Sequence, residues 1–155
     1  TDPVSIRNRQ KRTTLIDLIE TLSLECISIV AKTSYVPKSV SIGKGCFIDN
    51  MVHIESKVVV EDFTRIYALS HIGHHAHIGK NCVLQRMCVA PGDSTLGNNT
   101  YFSPMVKALK GGACFGENTW IQEGIYIRRN TIPNEIVSLS EGNRKRVLPS
   151  LDNCL

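Results

Sequence analysis

One feature of this chain constrains its fold more than any other: an apolar residue stands at every sixth position from Val36 to Phe102. The series is Val36, Ile42, Ile48, Ile54, Val60, Ile66, Ile72, Ile78, Leu84, Ala90, Leu96 and Phe102. A second series with the same period runs through Val40, Cys46, Val52, Val58, Thr64, Ser70, Ala76, Cys82, Cys88, Ser94, Thr100 and Val106, all small or β-branched. An α-helix repeats at ~3.6 residues and a strand at ~2, so neither produces a period of six. The two series describe a parallel β-solenoid. Each hexad supplies one short strand and one corner, the large aliphatic residue points inward and the small residue fills the corner. Stacked coils then bury apolar side chains against their neighbours in ladders. After Phe102 the register slips, and the ladder resumes at Phe115, Ile121 and Ile127. One extra residue therefore lies within Lys107-Ala108-Leu109-Lys110-Gly111-Gly112, where a glycine pair permits a bulge.

The repeat divides the chain. Residues 1–33 form a short helix-strand segment, an α/β stub. Within it Leu15, Ile16, Leu18, Ile19 and Leu22 share a helical face over Asn8–Leu22, and Cys26–Val30 reads as a strand. Arg7, Arg9, Lys11 and Arg12 are expected on a solvated surface. Residues 34–137 form the solenoid domain, although the strict repeat ends near Thr131. Residues 138–155 form a C-terminal tail that carries Arg144-Lys145-Arg146 and Pro149.

The repeat also explains the composition. Cys46, Cys82 and Cys88 occupy the small corner position, where Cys acts as a compact apolar residue. Disulfides are therefore not expected, and reduced thiols point to the cytoplasm. The net charge of +4 is too weak a bias to argue for nucleic acid. The absence of any run of ~18 apolar residues argues against a membrane-spanning helix, and Thr1-Asp2-Pro3-Val4 does not resemble a signal peptide. Met51, Leu69, Met87 and Met105 recur 18 residues apart and should face outward as an apolar column that needs a subunit to cover it. Phe47, Val83 and Tyr101 form a weaker second column.

Histidines are concentrated in Ser70-His71-Ile72-Gly73-His74-His75-Ala76-His77-Ile78-Gly79. Ile72 and Ile78 belong to the inward ladder, so His71, His74, His75 and His77 must face outward. At three hexads per coil, His71 stacks on His53, His74 lies between Ser56 and Gly92, and His75 lies between Lys57 and Asp93. Gly92 leaves space beside His74. Imidazole titrates near ~6.5 and suits proton transfer at neutral pH. A zinc site is the competing chemistry, with His53, His71 and His75 as the nearest ligand set.

The ladder together with His74 and Ile78-Gly79, which match an H-x-x-x-I-G hexad, resembles the hexapeptide-repeat acyltransferases. The resemblance is strongest to bacterial O- and N-acetyltransferases that modify sialic acids and nucleotide-linked amino sugars. It implies a left-handed parallel β-helix, a homotrimer, acetyl-CoA as acyl donor, a sugar or nucleotide-sugar acceptor, and no metal. It further implies that His74 is the general base, with His75, His71 and Asp93 as the candidate groups around it. CoA would lie near Gly92, Lys107, Lys110, Gly111, Gly112, Arg128 and Arg129, with Arg144 to Arg146 as further cations. Two alternatives on the same ladder are a trimeric zinc enzyme of the γ-carbonic-anhydrase kind and a non-catalytic binding solenoid.

Overall fold

The fold is seen in a computed structural model that describes residues 3–138 and 146–147. One helix, Pro3–Thr21, precedes a succession of two- and three-residue strands. The strands collect into three sheets of eight, five and five, one for each face of a parallel β-solenoid of about six turns. Register is fixed coil to coil. Ile54 pairs with Ile72 and Ile72 with Ala90 on one face, and Ile48 pairs with Ile66 and Ile66 with Leu84 on another.

Both six-residue series are where the sequence puts them. From Ile48 to Phe102 every large inward residue is at most 1% exposed, and Val36 and Ile42 pack against the same core from its open end. The small positions do more than fill corners. Thr64 is fully buried; its hydroxyl donates to the Gly79 carbonyl at 2.8 Å and accepts from the Cys82 N–H at 3.0 Å. Ser70 does the same with the Gln85 carbonyl and the Cys88 N–H. A buried corner leaves backbone groups without ladder partners, and an unpaired one costs ~1–3 kcal/mol, so Ser or Thr at this position stitches one coil to the next. Cys46, Cys82 and Cys88 are buried, whereas Cys114 is exposed. Burial raises the Cys88 thiol to about 12. Cys154 lies outside the described residues.

From Cys46 to Val106 each corner residue follows one in the left-handed region, among them Met51 (φ 56°), Leu69 (62°), His75 (55°), Met87 (62°), Asp93 (58°) and Met105 (62°). A non-glycine residue there costs roughly 1 kcal/mol, which the stacked coils must over-determine. The apolar column is thus also a line of constrained corners, and its four members are 63%, 55%, 48% and 45% exposed.

The elements at the two ends of the chain differ in detail from the expectation. The strand at the N-terminus is only Ile29–Val30, shorter than the expected Cys26–Val30, and it pairs in parallel with Phe47–Ile48 on the largest sheet. The helix does not dock by its leucines: Leu15, Leu18 and Leu22 are exposed, and Ile16 alone of the five is buried. Its contact stripe is Arg12, Ile16 and Glu20, one turn apart. Arg12 donates to the Phe63 carbonyl, and Glu20 binds Lys80 at 2.6 Å. Burial, and after it Arg65, pulls the Arg12 guanidinium down to about 10, so this cation is docked and still charged at neutral pH. Past the end of the strict repeat near Thr131 the chain stays in the solenoid. Glu135–Val137 extends the largest sheet in parallel, and Arg146–Val147 closes it antiparallel.

The register slip is narrower than expected. Lys107 pairs with Val89 and Ala108 is buried on the ladder, but Phe115 pairs with Leu96. The extra residue therefore lies in the turn between Ala108 and Ala113.

Candidate active site

The site is one corner column of the solenoid. His74 and His75 form the turn between the strands His71–Ile72 and His77–Ile78. Coils approach closely here: a Cβ on Gly73 would stand 2.2 Å from the Gly92 nitrogen, so only glycine fits. Stacked turns are tied by backbone bonds. The His75 N–H donates to the Ser56 carbonyl at 3.0 Å, the Asp93 N–H to the His74 carbonyl at 2.8 Å, and the Gly112 N–H to the Gly92 carbonyl at 2.9 Å. His75, Asp93 and Gly112 are therefore successive storeys of the left-handed corner position, and His74, Gly92 and Gly111 are the storeys beside them.

The two imidazoles meet edge to face, with their Nδ1 atoms 3.0 Å apart. Asp93 Oδ2 lies 3.9 Å from His74 Nδ1. The opposite edge of the His74 ring, Cε1, Nε2 and Cδ2, lies over Gly92, 2.8–3.1 Å from where a Cβ would stand. Both His74 and Asp93 are more than half exposed. Nδ1 is thus turned towards His75 and Asp93, and Nε2 is on the Gly92 side.

Glu55 completes the arrangement. One carboxylate oxygen accepts the His74 backbone N–H at 2.8 Å, and the other lies 3.1 Å from His71 Nε2. The His74 N–H, joined by His71, holds the Glu55 carboxyl below its usual range. Glu55 follows an inward isoleucine, a position that is often acidic in this sequence. Its partners are 16 and 19 residues away, a coil distance that the period alone does not convert into a contact.

His74, His75, Asp93, Gly92, Gly111 and Gly112 are brought together. His71 is not in contact with them; it stacks against His53, with ring centroids 5.3 Å apart, and reaches the His74 turn only through Glu55. His77 lies on another face, bound to Glu61 at 2.7 Å. Lys107 sits over the Tyr126 ring on the same face as His71, Lys110 bonds Asn130 at 3.1 Å, and Arg128 is exposed. Arg129 is committed to an ion pair with the fully buried Glu135 at 2.7 Å. Arg144 and Lys145 lie outside the described residues.

Ligand atoms of the expected zinc set, His53, His71 and His75, do not converge. Among the described residues two other groups do, each within 4.8 Å: His53 with Glu55 and His71, and His74 with His75 and Asp93. No helix of the described residues is long and apolar enough to cross a membrane.

No protein-family model matches the chain, and no curated protein matches it. Solved structures do. WeeI from Acinetobacter baumannii superposes with a TM-score of 0.80 at 16% identity, over 91% of this chain and 67% of that one. The hexapeptide transferase family protein from Anaplasma phagocytophilum gives 0.61 at 21% identity, over 79% and 78%. AntD, an N-acyltransferase from Bacillus cereus solved as a variant with dTDP and coenzyme A, gives 0.64 at 13% identity, over 84% and 87%. The chain has the fold of the hexapeptide-repeat transferases. That fold is consistent with the left-handed parallel β-helix expected from the ladder's resemblance.

Proposed function

We propose that this protein is an acetyl-CoA-dependent acetyltransferase that acts on a sugar or a nucleotide-linked amino sugar, with His74 as general base. The observation that carries the reading is the His74 ring, which has Nδ1 against His75 and Asp93 and Nε2 beside the space left by Gly92. A carboxylate near Nδ1 favours the tautomer with its proton there, which leaves the Nε2 lone pair to accept one. Fold relatives add support: AntD was solved with dTDP and coenzyme A, and a perosamine N-acetyltransferase variant from Caulobacter crescentus with CoA and GDP-perosamine (TM-score 0.52, 16% identity, 91% of this chain and 65% of that one).

In this mechanism Nε2 takes the proton of the acceptor's hydroxyl or amine as that oxygen or nitrogen attacks the thioester carbonyl. The carbon–sulfur bond then breaks, CoA leaves as the thiol, and the proton on His74 supplies its hydrogen. A backbone N–H stabilises the oxyanion formed between the two steps. Glu55 fixes the His74 main chain, so the ring works from a rigid turn. In this reading Lys107, Lys110 and Arg128 bind the CoA phosphates, and Gly111 and Gly112 give the room. Arg129 serves them only if it is released from Glu135. The protein acts in the cytoplasm as a homotrimer, with Met51, Leu69, Met87 and Met105 covered between subunits.

The test is acetyl-CoA consumption by wild type and His74→Ala against a panel of nucleotide-linked amino sugars. Turnover with one acceptor class and a loss of about 10²–10⁴-fold in the variant is expected for removal of a general base. Unchanged turnover in His74→Ala removes His74 from the role.

A further inference from the structure

The column one face away from the His74 corner has a composition that acyl transfer does not require. Stacked side chains run Tyr35, His53, His71 and Val89, one per coil, in parallel register. The Tyr35 ring lies flat on His53, with centroids 4.8 Å apart and 22° between planes. His53 and His71 follow at 5.3 Å. Two imidazoles are thus bracketed by an aromatic ring and an aliphatic side chain, which limits where either can swing.

A carboxylate lies beside them. Glu55 Oε1 is 3.1 Å from His71 Nε2, and Glu55 Oε2 is anchored on the His74 N–H at 2.8 Å. The three residues offer two ring nitrogens and one oxygen, all within 4.8 Å of one another. Backbone pairing sets the distance between the two histidines, so the donors are held in place by the solenoid and not by a loop. Two neutral imidazoles and one carboxylate are a donor set for zinc-class ions; magnesium and calcium take oxygen ligands.

We infer that His53, Glu55 and His71 form a binding site for one divalent transition-metal ion of the zinc class, with its remaining coordination position open to solvent. The site belongs to a single chain and stands independently of the acyl-transfer reading. It differs from the second convergent group, His74, His75 and Asp93, by its bracketing rings and its anchored carboxylate. Glu55 is common to the ion and to the His74 turn, so an ion bound here is felt at that turn.

Calorimetric titration of metal-free protein with ZnCl₂, and separately with MgCl₂, tests the site. Wild type is expected to take up one zinc per chain and no magnesium. His53→Ala and His71→Gln should each weaken zinc by more than the ~10–100-fold that follows loss of an outer-sphere partner. Asp93→Asn should leave it unchanged. Far-UV circular dichroism confirms that each variant is folded. Imidazole nitrogen NMR of wild type, which needs no variant, should show zinc shifting the signals of His53 and His71 ahead of those of His74 and His75. Absence of saturable zinc binding overturns the proposal. So does binding that survives His53→Ala or is lost in Asp93→Asn, since either places the ion elsewhere.

Discussion

Gly92→Ala separates what the His74 corner does for stability from what it does for chemistry. The new Cβ would stand 2.8 Å from both Cε1 and Nε2 of His74, and ordinary contact begins at 3.4 Å, so the ring must retreat by about 0.6 Å. The three atoms nearest that Cβ all belong to the His74 ring. The ring is the end of a half-exposed side chain, so it can move. Gly92 is not in the left-handed region, so alanine is also free of backbone strain there. Removing a glycine from the unfolded chain stabilises by ~0.4–1 kcal/mol, which offsets the cost of displacing the ring. At ~2–4 °C per kcal/mol, the melting temperature should stay within about 3 °C of wild type. Activity should behave differently. A displacement of ~1 Å at a reacting group costs up to ~10²-fold, so kcat/KM for acetyl transfer should fall roughly 10–100-fold. Thermal melting and steady-state kinetics on the same preparation read both quantities. Full activity in Gly92→Ala refutes the reasoning, because then the place of the His74 ring does not matter to the reaction.

Four further outcomes follow from the structure. Gly73→Ala would put its Cβ 2.2 Å from the Gly92 nitrogen and 2.7 Å from the Pro91 carbonyl carbon, main-chain atoms that cannot step aside. It should cost ~1–3 kcal/mol or more and lower the melting temperature where Gly92→Ala does not. Native protein treated with a thiol reagent at pH 8 should label at Cys114 within seconds and at Cys46, Cys82 and Cys88 only on unfolding. Because burial raises the Cys88 thiol to about 12, its contribution to stability is complete below the unfolded value of ~8.5 and is lost as pH rises from there towards 12, as urea titrations across that range would show. Glu135→Ala removes the acceptor for Arg129 and for the Ile132 N–H, and urea unfolding should show a loss of about 1–3 kcal/mol.

The solenoid was legible because its geometry writes one inward residue into every hexad. Ile48 to Phe102 reads as a single ladder in the sequence and is one in the structure. The same arithmetic places His53 under His71 and Gly92 over His74, since coil stacking is a fixed offset. What it could not give is lateral contact between side chains. Glu55 reaches two histidines by leaning across a coil, and nothing in a period of six records that lean. Arg12 was read as solvated because cations usually are. Its carbonyl partner is 51 residues away, on a surface that exists only once the solenoid has closed. The helix was misjudged for a related reason: a face that docks through an arginine, one isoleucine and a glutamate carries little hydrophobic signal, while its exposed leucines carry a strong one. Glu135 follows the end of the repeat, where no ladder remains to predict its burial.

The central claim is that CoA and the acceptor meet at His74. A crystal soaked with CoA tests it most directly. The pantetheine thiol is expected in the cleft beside Gly92, within direct or one-water hydrogen-bond reach of His74 Nε2, ~3 Å for a direct contact, with the phosphates towards Lys107, Lys110 and Arg128. A CoA molecule whose thiol lies on another face of the solenoid, away from His74, would contradict it.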